Sequence, residues 1–163
     1  MKKIYSILVE NQSGVLAKVA GLFWRRCFNI DSLTVGETED HSVSNMVIVS
    51  SGEKKTLEQV EKQLNKKLDI IKVRTFTETQ GITRELLLVK LRYNRENRKD
   101  IMENCQILGA KILELSKNQM VIEMCDTPER INMFLDTLKT VSILECARTG
   151  TLAMLKIAEG ENK

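Results

Sequence analysis

A chain of 163 residues with 42% apolar and 29% charged side chains can bury one medium core or two small ones, which excludes a disordered chain. The net charge of +3 is evenly spread, with 12 basic and 10 acidic side chains in residues 1–80 and 13 and 12 in residues 81–163, so no segment is built to track phosphates and no nucleic-acid partner is expected. Four scattered cysteines (Cys27, Cys105, Cys125, Cys146) without a Cys-x-x-Cys, and a single histidine, exclude a zinc site and a disulfide framework, leaving reduced, mostly buried thiols as the expectation.

The opening "MKKIYSILVE" has a short apolar stretch that ends at Glu10 with no small-residue cleavage site, so it does not read as a signal peptide. No apolar run approaches the roughly 20 residues of a membrane span, and a cytoplasmic protein without a membrane partner is expected. Ile4 to Val9 reads as a buried strand, and Val15 to Cys27 as a helix because Leu16, Val19, Ala20, Phe23 and Cys27 recur at spacings of three and four. Ile30 to Val35 and Met46 to Ser50 flank the polar "GETEDHSVS" as a hairpin. "KTLEQVEKQLNKKL" places Leu57, Val60, Leu64 and Leu68 on one helical face, and Ile70 to Phe76 is a strand. The order is β-α-β-β-α-β.

"TETQGIT" around Gly81 reads as a linker, after which the order repeats. Arg84 to Tyr93 is a strand, and Glu96 to Leu108 a helix facing Ile101, Cys105 and Leu108 inward. Lys111 to Leu115 pairs with Gln119 to Cys125. Thr127 caps a helix with Pro128 in its first turn and Ile131, Phe134, Leu135 and Leu138 on its buried face. Ile143 to Ala147 is the last strand expected, and "AEGENK" a frayed tail. The fold class is therefore α+β, with two tandem ferredoxin-like domains over 1–78 and 84–163 joined by a linker at 79–83.

The stretch "LVENQSGVLAKVAGLFWRR" passes from strand to helix with almost no connection. A helix N-terminus presents unpaired N–H groups and the positive end of the helix dipole, which suit a carboxylate. Gly14 lets a ligand approach the backbone, and Asn11 can both donate and accept, as an amino acid's charged end requires. The alternative reading is that Asn11 or Ser13 caps the helix and Gly14 relieves a tight turn.

The stretch "ENQSGVLAKVAGLFWRRCFNIDSLTVGETED", followed by "LEQVEKQLNKKLDIIKV" and "TRELLLVKL", resembles the ACT-domain regulatory (small) subunit of acetolactate synthase, also called acetohydroxyacid synthase. The resemblance implies a non-catalytic subunit that activates a catalytic (large) subunit and confers feedback inhibition by valine or another branched-chain amino acid. Thiamine diphosphate, magnesium and FAD would reside in that partner and no cofactor or metal in this chain. The resemblance further implies a homodimer through the ACT domains, with the effector held by Asn11, Gly14, Val15 and Leu16 and by Asn29 and Ile30 of the neighbouring chain. It implies that the second domain contacts the catalytic subunit. Ser13 stands where relatives often have proline, Cys27 where they usually have glycine, Asn45 where arginine is common, and Trp24 where a small polar residue is usual.

Other functions of the same element order fit less well. RNA-binding modules stack bases on strand aromatics, and aromatics are 4% of this chain. An acylphosphatase-like enzyme would need an arginine in the first loop, which offers none before Gly14. A tandem-ACT amino-acid sensor that regulates another partner, for example transcription, is the nearest alternative.

Overall fold

The computed structural model describes residues 1–25 and 27–157. Among the described residues two compact units emerge, one formed by residues 1–82 and 151–157, the other by Thr83–Gly150. The expected frayed tail, residues 158–163, lies outside the described residues.

In the first unit the order is β1 (Lys2–Glu10), α1 (Val15–Trp24), β2 (Ser32–Glu37), β3 (Val43–Ser51), α2 (Lys54–Leu64) and β4 (Ile70–Phe76). The strands form an antiparallel sheet in the order β2-β3-β1-β4. Strand alternation sends Tyr5, Ile7 and Val9 of β1 toward Val15, Val19, Leu22 and Phe23 of α1 and Leu57, Val60 and Leu64 of α2. Tyr5 and Phe23 meet edge to face with centroids 6.0 Å apart, and the Tyr5 hydroxyl donates to the Leu57 carbonyl at 2.9 Å. Burial, reinforced by the Glu61 carboxylate, pushes the Tyr5 phenol well above its usual range.

The second unit repeats the order with β5 (Gly81–Arg92), α3 (Arg98–Leu108), β6 (Lys111–Leu115), β7 (Gln119–Asp126), α4 (Pro128–Thr137) and β8 (Ser142–Arg148), strand order β6-β7-β5-β8. Leu87, Val89 and Leu91 meet Ile101, Cys105, Ile131, Phe134 and Leu138 in its core. Thr127 caps α4 as expected, accepting from Arg130 N–H at 3.4 Å. The buried Glu85 is held by Arg148 through Nε at 2.5 Å and a terminal guanidinium nitrogen at 2.9 Å, so a charge at the sheet's end is fully paired.

Several elements depart from the sequence reading. No separate linker stands at 79–83, because β5 begins at Gly81. A ninth strand, β9 (Leu152–Leu155), which the sequence reading lacks, belongs to the first unit, where Lys156 N–H donates to the Gln80 carbonyl at 3.0 Å. Helix α2 closes at Leu64, so Leu68 is 98% exposed rather than on the buried face. Helix α3 starts at Arg98 because the Asn94 side chain accepts from the amides of Glu96 and Asn97 and holds that turn outside the helix. Of the cysteines only Cys105 is buried. Cys125 alternates with the inward Met124, and Cys146 lies on β8, which is exposed throughout, so the expectation of mostly buried thiols fails.

Gly81 has a specific packing reason. A Cβ built there would stand 2.6 Å from Phe76 Cε2 and 2.9 Å from Cδ2, and Phe76 is packed with Ile4, Val47, Val49 and Ala153. Gly81→Ala is expected to cost about 1–3 kcal/mol through overpacking, read as a lowered urea midpoint with an unchanged slope.

Candidate functional site

The turn between β1 and α1 is shaped by three local features. β1 is pinned on both sides by β3 and β4, and its end is fixed by Glu10 N–H donating to the Asp69 carbonyl at 3.0 Å. Gly14 is the residue before α1 and adopts φ 84°, in the left-handed region that favours glycine. A Cβ there would meet no atom within 4 Å, so the space in front of the turn is open.

No side chain caps α1, which rules out the simple capping role for Asn11 or Ser13. Lys18 N–H closes the first turn on the Gly14 carbonyl at 3.0 Å, and Val15 N–H reaches the Gln12 carbonyl only at 3.4 Å. The helix start thus keeps donors and its positive dipole end for another acceptor.

Asn11 is held in one orientation by the loop after β2. Its Nδ2 donates to Glu37 Oε1 at 3.1 Å and to the His41 carbonyl at 2.9 Å, while its backbone N–H donates to the Ser42 carbonyl at 2.7 Å. With both amide hydrogens used, Oδ1 is the atom that Asn11 has to offer, an acceptor suited to an ammonium group. Glu37 is itself tied to His41, with Nδ1 to Oε2 at 2.9 Å, so His41 belongs to the frame that orients Asn11. Glu37 and His41 carry no sequence signal beyond their place in a turn-rich loop.

Val15 is 2% exposed and its side chain faces the core, so only its backbone is available at the turn. Leu16 is 42% exposed beside the same turn. Asn29 and Ile30 are not brought to this turn within one chain. They precede β2, whereas Glu37, the neighbour of Asn11, ends it, leaving about 20 Å of strand between them. Asn29 Nδ2 donates to Asp31 Oδ1 at 2.8 Å, its carbonyl accepts from Ser50 Oγ at 2.7 Å, and Ile30 packs against the first core.

Cys27 stands beyond α1 with φ 54°, the one non-glycine residue in the left-handed region among those described. Its N–H donates to Trp24 O and that of Phe28 to Phe23 O, both at 3.0 Å, a helix-closing turn that a side chain at this φ burdens by roughly 1–2 kcal/mol. The helix therefore ends before Cys27, which is exposed rather than on the core face expected of it. Trp24 is 79% exposed, and the Asn45 side chain accepts from Ser6 Oγ at 3.3 Å. Among the described residues no group of three or more His, Cys, Asp or Glu side chains could hold a metal, and no helix is long and apolar enough to cross a membrane.

A βαββαβ unit whose first helix opens on an uncapped glycine turn defines an ACT-type domain, here followed by a second unit of the same order. Residues 5–72 match the AHAS small subunit-like ACT domain, and residues 84–157 match the small subunit of acetolactate synthase. The chain is 45% identical over 156 residues to the probable acetolactate synthase small subunit of Archaeoglobus fulgidus, covering 96% of this chain and 98% of that one. It is 36% identical over 155 residues to the acetolactate synthase isozyme 3 small subunit of Salmonella typhimurium, covering 94% and 95%. The crystal structure of the acetolactate synthase small subunit from Thermotoga maritima superposes with a TM-score of 0.89 at 36% identity, covering 96% of this chain and 98% of that one. The chain belongs to the family of acetolactate synthase small subunits, and hence to branched-chain amino acid biosynthesis.

The loop that orients Asn11 is organised by Asp40, whose Oδ1 accepts from Ser42 Oγ at 2.7 Å and Ser42 N–H at 2.9 Å. The hydroxyl bond, then the backbone bond, hold this carboxyl below the usual aspartate range. A depressed acid contributes stability above its unfolded pKa and loses it as pH falls through the folded value, so this turn should loosen only in acid. Carboxyl-carbon NMR titration should give Asp40 a midpoint below that of free aspartate, and Ser42→Ala should return it toward the ordinary range.

Proposed function

We propose that this chain is the non-catalytic regulatory subunit of a cytoplasmic acetolactate synthase. It activates a catalytic subunit that carries thiamine diphosphate, magnesium and FAD, and makes it sensitive to valine or another branched-chain amino acid. The observation that carries the effector half of this reading is the β1–α1 turn, where an uncapped helix start and an open space at Gly14 stand beside an Asn11 whose free acceptor is Oδ1. An amino acid's carboxylate fits the helix amides, its ammonium fits Oδ1, and a branched side chain fits beside Leu16.

Topology supports a site completed by a second copy. β2 is an edge strand, and two-fold antiparallel pairing of β2 with its copy would set the start of one beside the end of the other. Asn29 and Ile30 of the second copy would then approach Glu37 and, through it, Asn11. This arrangement accounts for two groups of site residues that one protomer keeps at opposite ends of a strand. The second unit is assigned to contact with the catalytic subunit. A sensor acting on a different partner is not favoured, given the family to which both units belong.

Two outcomes test the proposal. The purified chain with thiamine diphosphate, magnesium and pyruvate should form no acetolactate, whereas adding it to its catalytic subunit should raise turnover. Turnover by the chain alone, or no effect on mixing, contradicts the reading.

Gly14→Asp should fold, since its Cβ meets no neighbour, at a cost of about 1–2 kcal/mol for the left-handed backbone. Its carboxylate would repel the effector's own by roughly 4 kcal/mol at about 4 Å and an effective dielectric near 20. Half of that repulsion weakens binding more than tenfold. Calorimetric titration with valine, leucine and isoleucine should therefore show lost binding while activation of the catalytic subunit is kept. Undiminished affinity for any of them would place the effector elsewhere.

A further inference from the structure

The sheet of the first unit has a second concavity on the face turned away from its helices. Tyr5, Ile7 and Val9 of β1 lie in the core beneath α1 and α2, so Ser6 and Leu8 point to the opposite face. The register sets Leu8 between Asn45 of β3 and Lys72 of β4, and Ser6 between Val47 and Arg74. Residues directly opposite across strands share a face. Farther along, Ile4, Val49 and Phe76 are closed over by Ala153 of β9.

Where that cover stops, a cavity of about 210 Å³ opens, with Leu8, Phe76 and Met154 as apolar walls and Ser6, Asn45, Lys72 and Arg74 as polar groups. No acidic side chain lines it. Lys72 and Arg74 stand two residues apart on the edge strand, about 7 Å along it. Neither makes an ion pair or a side-chain hydrogen bond among the described residues, unlike Lys2, Lys3 and Lys18, which find carboxylates. Ser6 Oγ donates to Asn45 Oδ1 at 3.3 Å, which leaves the Asn45 Nδ2 hydrogens as donors.

Two unpaired cations, an amide donor, apolar walls and no anion select one chemistry. A guanidinium takes a carboxylate in its fork, and the walls take a short hydrocarbon tail. Among the charged groups of the lining an α-ammonium group would meet only like charge, which disfavours it. We propose that this pocket binds a short aliphatic carboxylate without an ammonium group, such as a 2-oxo or 2-hydroxy acid. It is a site separate from the α1 turn, whose Asn11 acceptor calls for an ammonium. The volume exceeds the roughly 150 Å³ of a cavity that holds benzene, which suits an acid of about four to six carbons.

The test uses a pair of probes that differ by the ammonium group alone, 4-methylpentanoate and leucine, each titrated into the full chain with methyl-labelled residues and followed by NMR. The carboxylate should give saturable shifts at the Leu8, Ala153 and Leu155 methyls, and leucine at equal concentration should leave these unmoved. K72M/R74Q, with both positions exposed and so expected to fold, should weaken the carboxylate at least tenfold. Any of three results overturns the proposal: no saturable shift at these methyls, equal response to leucine, or unchanged affinity in the double variant. Shifts at Val15 and Leu16 report the other site separately, so failure here leaves the α1 turn untouched, and the reverse.

Discussion

The placement of β1 is the constraint on which the first unit depends. It has a partner on each side, β3 and β4, and its alternation divides the sheet into two faces of different chemistry. One face buries Tyr5, Ile7 and Val9 under the helices, and the other carries Ser6 and Leu8 into an open pocket. A slip of one residue would exchange these sets and place a hydroxyl in the core, so the register is strongly determined. Because β1 ends at Glu10 and the core takes Val15, only four residues are left to turn the chain into α1. That shortness accounts for the left-handed Gly14 and for a helix start with no side chain over it.

The same geometry sets the division of labour around the turn. Asn11 does not choose its own orientation: the loop after β2 takes both its amide hydrogens, and that loop is in turn held by Asp40 with Ser42 and by Glu37 with His41. Orientation of a ligand-facing group by neighbours that do not touch the ligand is a common feature of binding sites. The edge position of β2 supplies a further element, since a strand with unpaired N–H and C=O groups calls for a partner.

Much of the fold was legible because apolar periodicity is strong where an element has one buried face. The first helix, both hairpins and the Thr127 cap follow from spacing and turn chemistry. The misses have physical causes. β9 is four residues with only Ala153 buried, too short to show a period. Leu68 continues the apolar spacing of α2 after the helix has closed, and Cys27 does the same after α1. At the β1–α1 turn, the uncommon backbone of Gly14 was readable from the abrupt strand-to-helix change. Glu37 and His41 were not, because their role depends on a contact across 26 to 30 positions of chain. The role of Val15 also differs in kind from that of Leu16, since one faces the core and the other solvent, a distinction that helical phase alone did not settle.

The proposed effector site combines the β1–α1 turn of one protomer with Asn29 of another. This combination is tested most directly by complementation between two defective chains, one carrying Gly14→Asp and the other Asn29→Ala. Neither homodimer should bind the branched-chain amino acid at normal affinity. In a heterodimer, one site inherits both defects and the other has an intact turn from the Asn29→Ala chain and an intact Asn29 from the Gly14→Asp chain. Unfolding and refolding the two together should therefore restore tight calorimetric binding at one site per heterodimer. If the mixture binds no better than the two separate proteins although heterodimers have formed, the site lies within a single chain and the account is wrong.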